Sequence, residues 1–116
     1  KKVNVIRQII EKLDLKNVTI INDRVENLAR NNKYINSIDY VIARAVASTD
    51  LMLKWSIPIV KNNGKIVLLK GGDLTKEIAE ANRIAKAMRF EEIPIKLNGF
   101  DYFEKEEKKL IIIRRV

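Results

Sequence analysis

The sequence predicts an α/β domain with a mostly parallel sheet, helices on both of its faces and a closing antiparallel β-hairpin. Helical and strand-like segments alternate along the 116 residues, an order that is typical of parallel strands joined by helices. Two largely apolar runs, at residues 40–43 and 65–70, have the pattern of strands buried on both faces. Near the end of the chain, residues 93–97 and 110–114 are predicted to pair as the hairpin.

The first half of the chain is predicted to contain two helices and two strands. Apolar residues recur at helical spacing over residues 1–13, which predicts an amphipathic helix. The β-branched run at residues 18–21 predicts a short buried strand. A brief helix at residues 24–30 and a polar loop at residues 31–37 then lead to the strand at residues 39–43.

The second half of the chain continues the alternation. Ser48 is a good helix N-cap, and Pro58 is expected to bend or end the helix that follows it. The Asn-Asn-Gly sequence at residues 62–64 predicts a turn before the strand at residues 65–70. A long helix is predicted to follow, ending near residue 89.

The composition excludes several kinds of chemistry. The chain has no cysteine and no histidine, so disulfides, thiolate or imidazole metal ligands and histidine-dependent catalysis are excluded. Its 23 Lys and Arg against 15 Asp and Glu give a formal charge of +8. This charge favours a polyanionic partner such as nucleic acid, with a lysine-rich surface that serves solubility alone as the alternative. Because the apolar runs are only about five residues long and no signal peptide is recognised, we expect a cytoplasmic protein without a membrane span.

Charged side chains follow the predicted strands at the edge where an open α/β sheet binds its ligands. Arg44 and Lys70 each end a strand, Glu26 follows the first strand, and Gly71 with Gly72 would let a ligand approach the backbone. A structural role stays open for each of them: a salt bridge for Arg44, capping of the sheet for Lys70, a favourable helix dipole for Glu26, and a flexible turn for the glycines. Neither a dinucleotide-binding nor a P-loop glycine motif is present.

Three segments of the chain together resemble one family. Residues 15–26, 39–48 and 57–71 have the order and spacing found in the 16S ribosomal RNA guanine-N7 methyltransferases, also called glucose-inhibited division protein B. The most specific features are Arg-Ala-x-Ala-Ser at residues 44–48 and Leu-Lys-Gly at residues 69–71. The resemblance implies a Rossmann-like class I fold that uses S-adenosylmethionine to methylate a guanosine of small-subunit rRNA.

The resemblance also implies roles for individual residues. The family's cofactor contacts fall on Val25 and Glu26, near the adenine, and on Arg44, at the mouth of the site. Arg44 and Lys70 are candidates for positioning the substrate, and no metal is implied. Guanine N7 attacks through a lone pair and has no proton to remove, so alignment matters more than a general base. The implied partner is 16S rRNA or the small ribosomal subunit.

By the same resemblance, residues 1–116 correspond to the C-terminal portion of a single methyltransferase domain. The glycine-rich cofactor loop and two strands of the family sheet would precede Lys1, and those strands would lie between the strands at residues 18–21 and 39–43. Without them long strand edges are exposed, so we expect completion by other chain material, edge pairing or swapping. A non-catalytic basic α/β module that binds RNA or protein is the alternative function.

Overall fold

The computed structural model describes residues 2–44 and 47–116, and it confirms the α/β class. The described residues form one four-stranded sheet in the order β1-β2-β4-β3. Strands β1 and β2 are parallel, and β4 runs antiparallel to both of its neighbours, so the described sheet is mixed and not mostly parallel as predicted. In chain order the elements are α1 (Lys2–Lys12), α2 (Val25–Ala29), β1 (Ile38–Arg44), α3 (Thr49–Ser56), β2 (Val60–Lys70), α4 (Thr75–Ile84), β3 (Met88–Pro94), α5 (Tyr102–Lys105) and β4 (Lys109–Arg115).

The hydrophobic core lies on one face of the sheet. Successive side chains of a strand point to opposite faces, so Ile66 and Leu68 of β2 share a face with their neighbours Ile111 and Ile113 of β4. All four of these side chains are almost completely buried. Helices α3 and α4 cover this face, and the residues of the core cluster are Met52, Leu53, Val60, Ile66, Leu68, Leu74, Ala81, Met88, Ile111 and Ile113.

The opposite face of the sheet is largely uncovered, which corrects the prediction that β1 and β2 are buried on both faces. Tyr40 and Ile42 of β1 are 59% and 77% exposed, and Val67 and Leu69 of β2 are half-buried. The prediction was wrong because an apolar sequence makes a strand suitable for burial on both faces but does not cover those faces. Burial of the second face requires another layer of helices. Helix α1 does not provide that layer, since none of its residues is buried.

The predicted strand at residues 18–21 is also wrong. This segment has no regular secondary structure, and Val18 and Ile21 are 50% and 43% exposed. A strand exists only where a neighbour accepts and donates its backbone hydrogen bonds. No strand of the described residues lies beside this segment, so its β-branched sequence alone does not produce a strand.

The turn predicted at residues 62–64 is instead an irregularity inside a longer strand. Strand β2 begins at Val60, and the register changes between the pairs Ile38–Val60 and Tyr40–Lys65. Gly64 lies at this point, where a Cβ atom would fall 2.6 Å from the Asp39 carbonyl oxygen. Glycine is therefore required here because the two strand backbones approach closely.

The boundary between the last long helix and the hairpin also differs from the prediction. Helix α4 ends at Ile84, and β3 runs from Met88 to Pro94, not over residues 93–97. The strand is favoured because Met88 is buried in the core and Phe90 packs against it while both pair with β4. Other predictions are confirmed: α1 and α2, the end of α3 before Pro58, and the antiparallel hairpin.

Candidate functional site

The carboxyl ends of β1 and β2 meet at one edge of the sheet and open onto a cavity. Arg44 is the last residue of β1 and pairs in register with Leu69, so the two side chains lie on the less covered face. Both line a cavity of about 340 Å³ together with Tyr102, Phe103 and Lys108 from the connection between β3 and β4. Arg44 thus stands where the alternation of strands and helices predicted it, at the carboxyl ends of the two parallel strands, which is the edge where open α/β sheets bind their ligands.

The β3–β4 connection is held against the end of β2 by its own backbone. The Lys108 N–H donates to the Phe103 carbonyl at 2.8 Å, and the Lys108 carbonyl accepts from Ile95 at 3.0 Å. A Cβ atom on Gly71 would lie 3.2 Å from the Glu106 carbonyl oxygen and from the Lys108 side chain. The missing side chain of Gly71 therefore lets the connection approach, which brings Lys108 to the cavity.

The cavity is positively charged. Among the described residues that line it, Arg44 and Lys108 are the only charged ones, and none carries a carboxylate. Across residues 2–44 and 47–116, neither cation lies within salt-bridge distance of an acidic side chain. An anionic ligand would therefore find two cations whose charge is not already neutralised.

Lys70 lies on the opposite, core-facing side of the sheet, where it belongs to a partly buried polar cluster. Its ammonium donates to the Ala47 carbonyl at 2.8 Å and forms an ion pair with Glu77. The same Glu77 oxygen accepts hydrogen bonds from the backbone N–H of Thr49 at 2.6 Å and from its hydroxyl at 2.8 Å. The cluster joins the end of β2, the start of α3 and helix α4.

Glu77 is the residue that sequence reasoning missed in this cluster. Ser48 occupies the N-cap position of α3 as predicted, but its side chain makes no capping bond. The Glu77 carboxylate takes that role from 28 positions away in the sequence. Burial acts to raise the pKa of Glu77, but the hydrogen bonds from Lys70 and Thr49 outweigh it and hold this pKa below its usual value. No local pattern marks such a contact.

Val25 and Glu26 lie at the start of α2, away from the Arg44 cavity. Val25 is half-buried, and Glu26 comes within 4.0 Å of Arg24. Glu26 lines a separate cavity of about 200 Å³ between α2 and α3, whose walls include Trp55 and Pro58. Within the described residues, the predicted site residues therefore lie in three separate places: the Arg44 cavity, the Lys70 cluster and the α2–α3 cavity.

Two further features bear on the predicted site. Residues 45 and 46 of the Arg-Ala-x-Ala-Ser motif lie outside the described residues. Sequence reasoning also missed Tyr102, Phe103 and Lys108. Their position between the two strands of the hairpin could have indicated them. A loop that joins the last two antiparallel strands returns to the edge where the parallel strands end, so its side chains reach the ligand-binding edge.

The sequence of this chain matches a known protein family. Residues 1–102 match the family model GidB, described as rRNA small subunit methyltransferase G. The chain belongs to the GidB family. The resemblance that three segments of the sequence indicated is thereby confirmed, and membership in this methyltransferase family implies a methyl donor.

Relatives of the GidB family match the chain over most of its length. The ribosomal RNA small subunit methyltransferase G of Thermotoga petrophila is 35% identical over 115 residues, which are 99% of this chain and 49% of that protein. The protein of the same name from Oenococcus oeni is 40% identical over 83 residues, which are 72% of this chain and 34% of that protein. The chain thus spans about half the length, or less, of these curated relatives.

Solved structures share the fold at lower identity. A protein described as an rRNA-methylase from Clostridium thermocellum matches with a TM-score of 0.66 at 18% identity, covering 98% of this chain and 66% of that one. The precorrin-8w decarboxylase of Methanobacterium thermoautotrophicum matches with a TM-score of 0.60 at 16% identity, covering 98% of this chain and 64% of that one. Together with the GidB match, these likenesses support the predicted Rossmann-like methyltransferase sheet.

Among the described residues, no group of three or more Asp or Glu side chains is placed to hold a metal ion. No helix in residues 2–44 or 47–116 is both long enough and apolar enough to cross a bilayer.

Proposed function

We propose that this GidB-family chain acts, within its natural polypeptide, in the S-adenosylmethionine-dependent methylation of guanine N7 in 16S ribosomal RNA. The observation that supports the proposal most is the family match over residues 1–102. The formal charge of +8 suits an RNA substrate. The proposed reaction takes place where ribosomal RNA is made and assembled, in the cytoplasm.

The reaction requires alignment more than proton transfer. The bound donor would supply a methyl group on a positively charged sulfonium. Guanine N7 attacks with its lone pair as the carbon–sulfur bond breaks and its electrons return to sulfur, and no proton has to leave N7. The residues of this chain would therefore bind the RNA, orient the base and exclude water, which is a role that a chain without histidine can perform.

The proposed cofactor contacts are Val25, Glu26 and Arg44. The Glu26 carboxylate is a hydrogen-bond acceptor at a partly open cavity, which suits an amino or hydroxyl group of the donor's adenosine. Arg44 would stand where donor and substrate meet. Because Glu26 and Arg44 line separate cavities, each would contact a different part of the donor, and the described residues enclose only part of that site.

Lys70 has a different proposed role. Its ammonium is bonded to Ala47 and Glu77, and its side chain is only 11% exposed. We propose that Lys70 positions the substrate indirectly, by holding Ala47 close to the start of α3. A direct phosphate contact would require the ammonium to leave the Glu77 carboxylate.

We also propose that further chain material completes the sheet beside β1, or that a second copy does so when the 116-residue chain is alone. Strand β1 has one neighbour in the described sheet, so its other edge presents unpaired backbone groups. The exposed Tyr40 and Ile42 adjoin this edge.

The direct test is methyl transfer by the natural polypeptide. Tritiated S-adenosylmethionine and 16S rRNA or small ribosomal subunits are the substrates, and the product is digested and identified as 7-methylguanosine. Label in 7-methylguanosine is expected. RNA binding without any methyl transfer would contradict the proposal and support the alternative, a non-catalytic basic module.

A further inference from the structure

The cavity at the end of β1 combines an aromatic wall with two cations. Tyr102 is 57% exposed as a residue, and the Phe103 ring packs edgewise against its ring with centroids 5.5 Å apart and an angle of 77°. Arg44 and Lys108 supply the positive charge, and Leu69 supplies an apolar surface. Phe103 and Lys108 lie beyond the residues that match the GidB family model.

These walls match the chemistry of a nucleotide. Aromatic side chains stack on bases, and Lys or Arg side chains contact phosphates in proteins that bind single-stranded RNA. A cavity of about 340 Å³ is within the range that holds small ligands. The methyl donor is not expected to fill this cavity, because Arg44 and Lys108 would repel its sulfonium and ammonium groups and attract only its carboxylate.

A neighbouring cavity serves as a contrast. It has about 240 Å³, lies beside the end of β3 and is lined by Glu104 and Glu107 together with three lysines. Two carboxylates in such a wall oppose a phosphate group. The Arg44 cavity shares Phe103 and Lys108 with it, but the charged residues that line the Arg44 cavity in the described part of the chain are cations alone.

We propose that the Arg44 cavity holds the ribonucleotide that receives the methyl group, with the Tyr102 ring stacked on its base and Arg44 and Lys108 at its phosphate. This inference rests on the proposed function, and it names the substrate-binding residues of that same site. Tyr102 and Lys108 bind the substrate, while Gly71 permits the approach of the segment that carries Lys108.

The test measures RNA affinity and methyl transfer separately in the natural polypeptide. Tyr102→Ala is expected to weaken rRNA binding, and to raise the RNA concentration that gives half the maximal rate, by about tenfold. Tyr102→Phe keeps the stacking ring and is expected to behave like the wild type. Phe100→Ala is the matched control, because Phe100 is a 66% exposed aromatic of the same connection that does not line this cavity.

Lys108→Gln provides a second variant that does not alter the aromatic wall. Removal of one phosphate contact is expected to weaken RNA binding and to reduce the dependence of log affinity on log salt by about one unit of slope. The affinity for S-adenosylmethionine, measured by calorimetry, is expected to stay unchanged in both Tyr102→Ala and Lys108→Gln.

The outcomes separate this inference from the proposed function. RNA binding that depends on Tyr102, without methyl transfer, would support the nucleotide cavity and refute the proposed methyltransferase activity. Methyl transfer with unchanged RNA affinity in Tyr102→Ala and Lys108→Gln would overturn the nucleotide cavity. Weaker S-adenosylmethionine binding with unchanged RNA affinity would overturn it as well, because the donor would then occupy the cavity.

Discussion

At the scale of single residues, Glu77 shows how one carboxylate organises the start of a helix. It accepts both Thr49 hydrogen bonds and neutralises Lys70, whose remaining bond goes to the Ala47 carbonyl. Both Thr49 and the Lys70 ammonium are largely withdrawn from water, where a lost partner costs more than it does at the surface. Ala47 and Thr49 are therefore both held by this cluster at the start of α3.

Glu77→Gln is expected to lower the free energy of unfolding of the 116-residue chain by about 1 to 2 kcal/mol, since Lys70 loses its charged partner. Glu80→Gln is the matched control on the same helix, because the ion pair of Glu80 with Arg83 is exposed and should contribute little. Urea denaturation followed by circular dichroism measures both variants.

The effect of Glu77 should depend on pH. The pKa of Glu77 is lower in the folded chain than its ordinary value, so its stabilising contribution is complete above the ordinary carboxyl pKa and is lost as the pH falls through the folded one. The stability difference between wild type and Glu77→Gln should therefore shrink in acid. A difference that stays constant from neutral to acid pH would contradict the ion-pair account.

At the scale of elements, β1 is the part of the sheet that is least complete. Its core-facing residues Val41 and Ala43 pack against the cluster, whereas Tyr40 and Ile42 on the other side are exposed. An apolar edge strand with unpaired backbone groups is a template for another strand. The short segment at residues 18–21 fails to pair with it.

The 116-residue chain alone is therefore expected to self-associate through β1, with sedimentation velocity showing dimers or larger species as concentration rises. Ile42→Lys should reduce this association, because a charge on the uncovered face of an edge strand opposes pairing. Leu13→Lys, at a 63% exposed site beyond α1, is the control and should leave it unchanged. A chain that stays monomeric at every concentration would refute the edge-pairing proposal.

At the scale of the whole molecule, the alternation of strands and helices sufficed to predict the class, the parallel β1–β2 pair and the closing hairpin. Burial on the second face was not predictable from strand composition, because it depends on which other elements cover that face. The Glu77–Thr49 contact was not predictable either, since it joins residues 28 positions apart through tertiary packing. The position of Arg44 was predictable because it ends a strand, whereas the position of Tyr102 and Lys108 beside it depends on how the β3–β4 connection packs over Gly71.

The most direct test of the central claim, that the Arg44 edge is a methyl-transfer site, compares Arg44→Ala with Arg89→Ala in the natural polypeptide. Arg89 is an exposed arginine of β3 that pairs with Arg114, at the opposite end of the sheet from Leu69, and it serves as the control. The measurement is the rate of 7-methylguanosine formation in 16S rRNA at saturating S-adenosylmethionine, with thermal denaturation to verify folding.

Because Arg44 is exposed and outside the core, its loss should leave the melting temperature nearly unchanged. Methyl transfer should fall by about a hundredfold, as expected when a reacting group is misplaced. Arg89→Ala should keep the wild-type rate. Equal rates for Arg44→Ala and the wild type, with folding intact in both, would contradict the account.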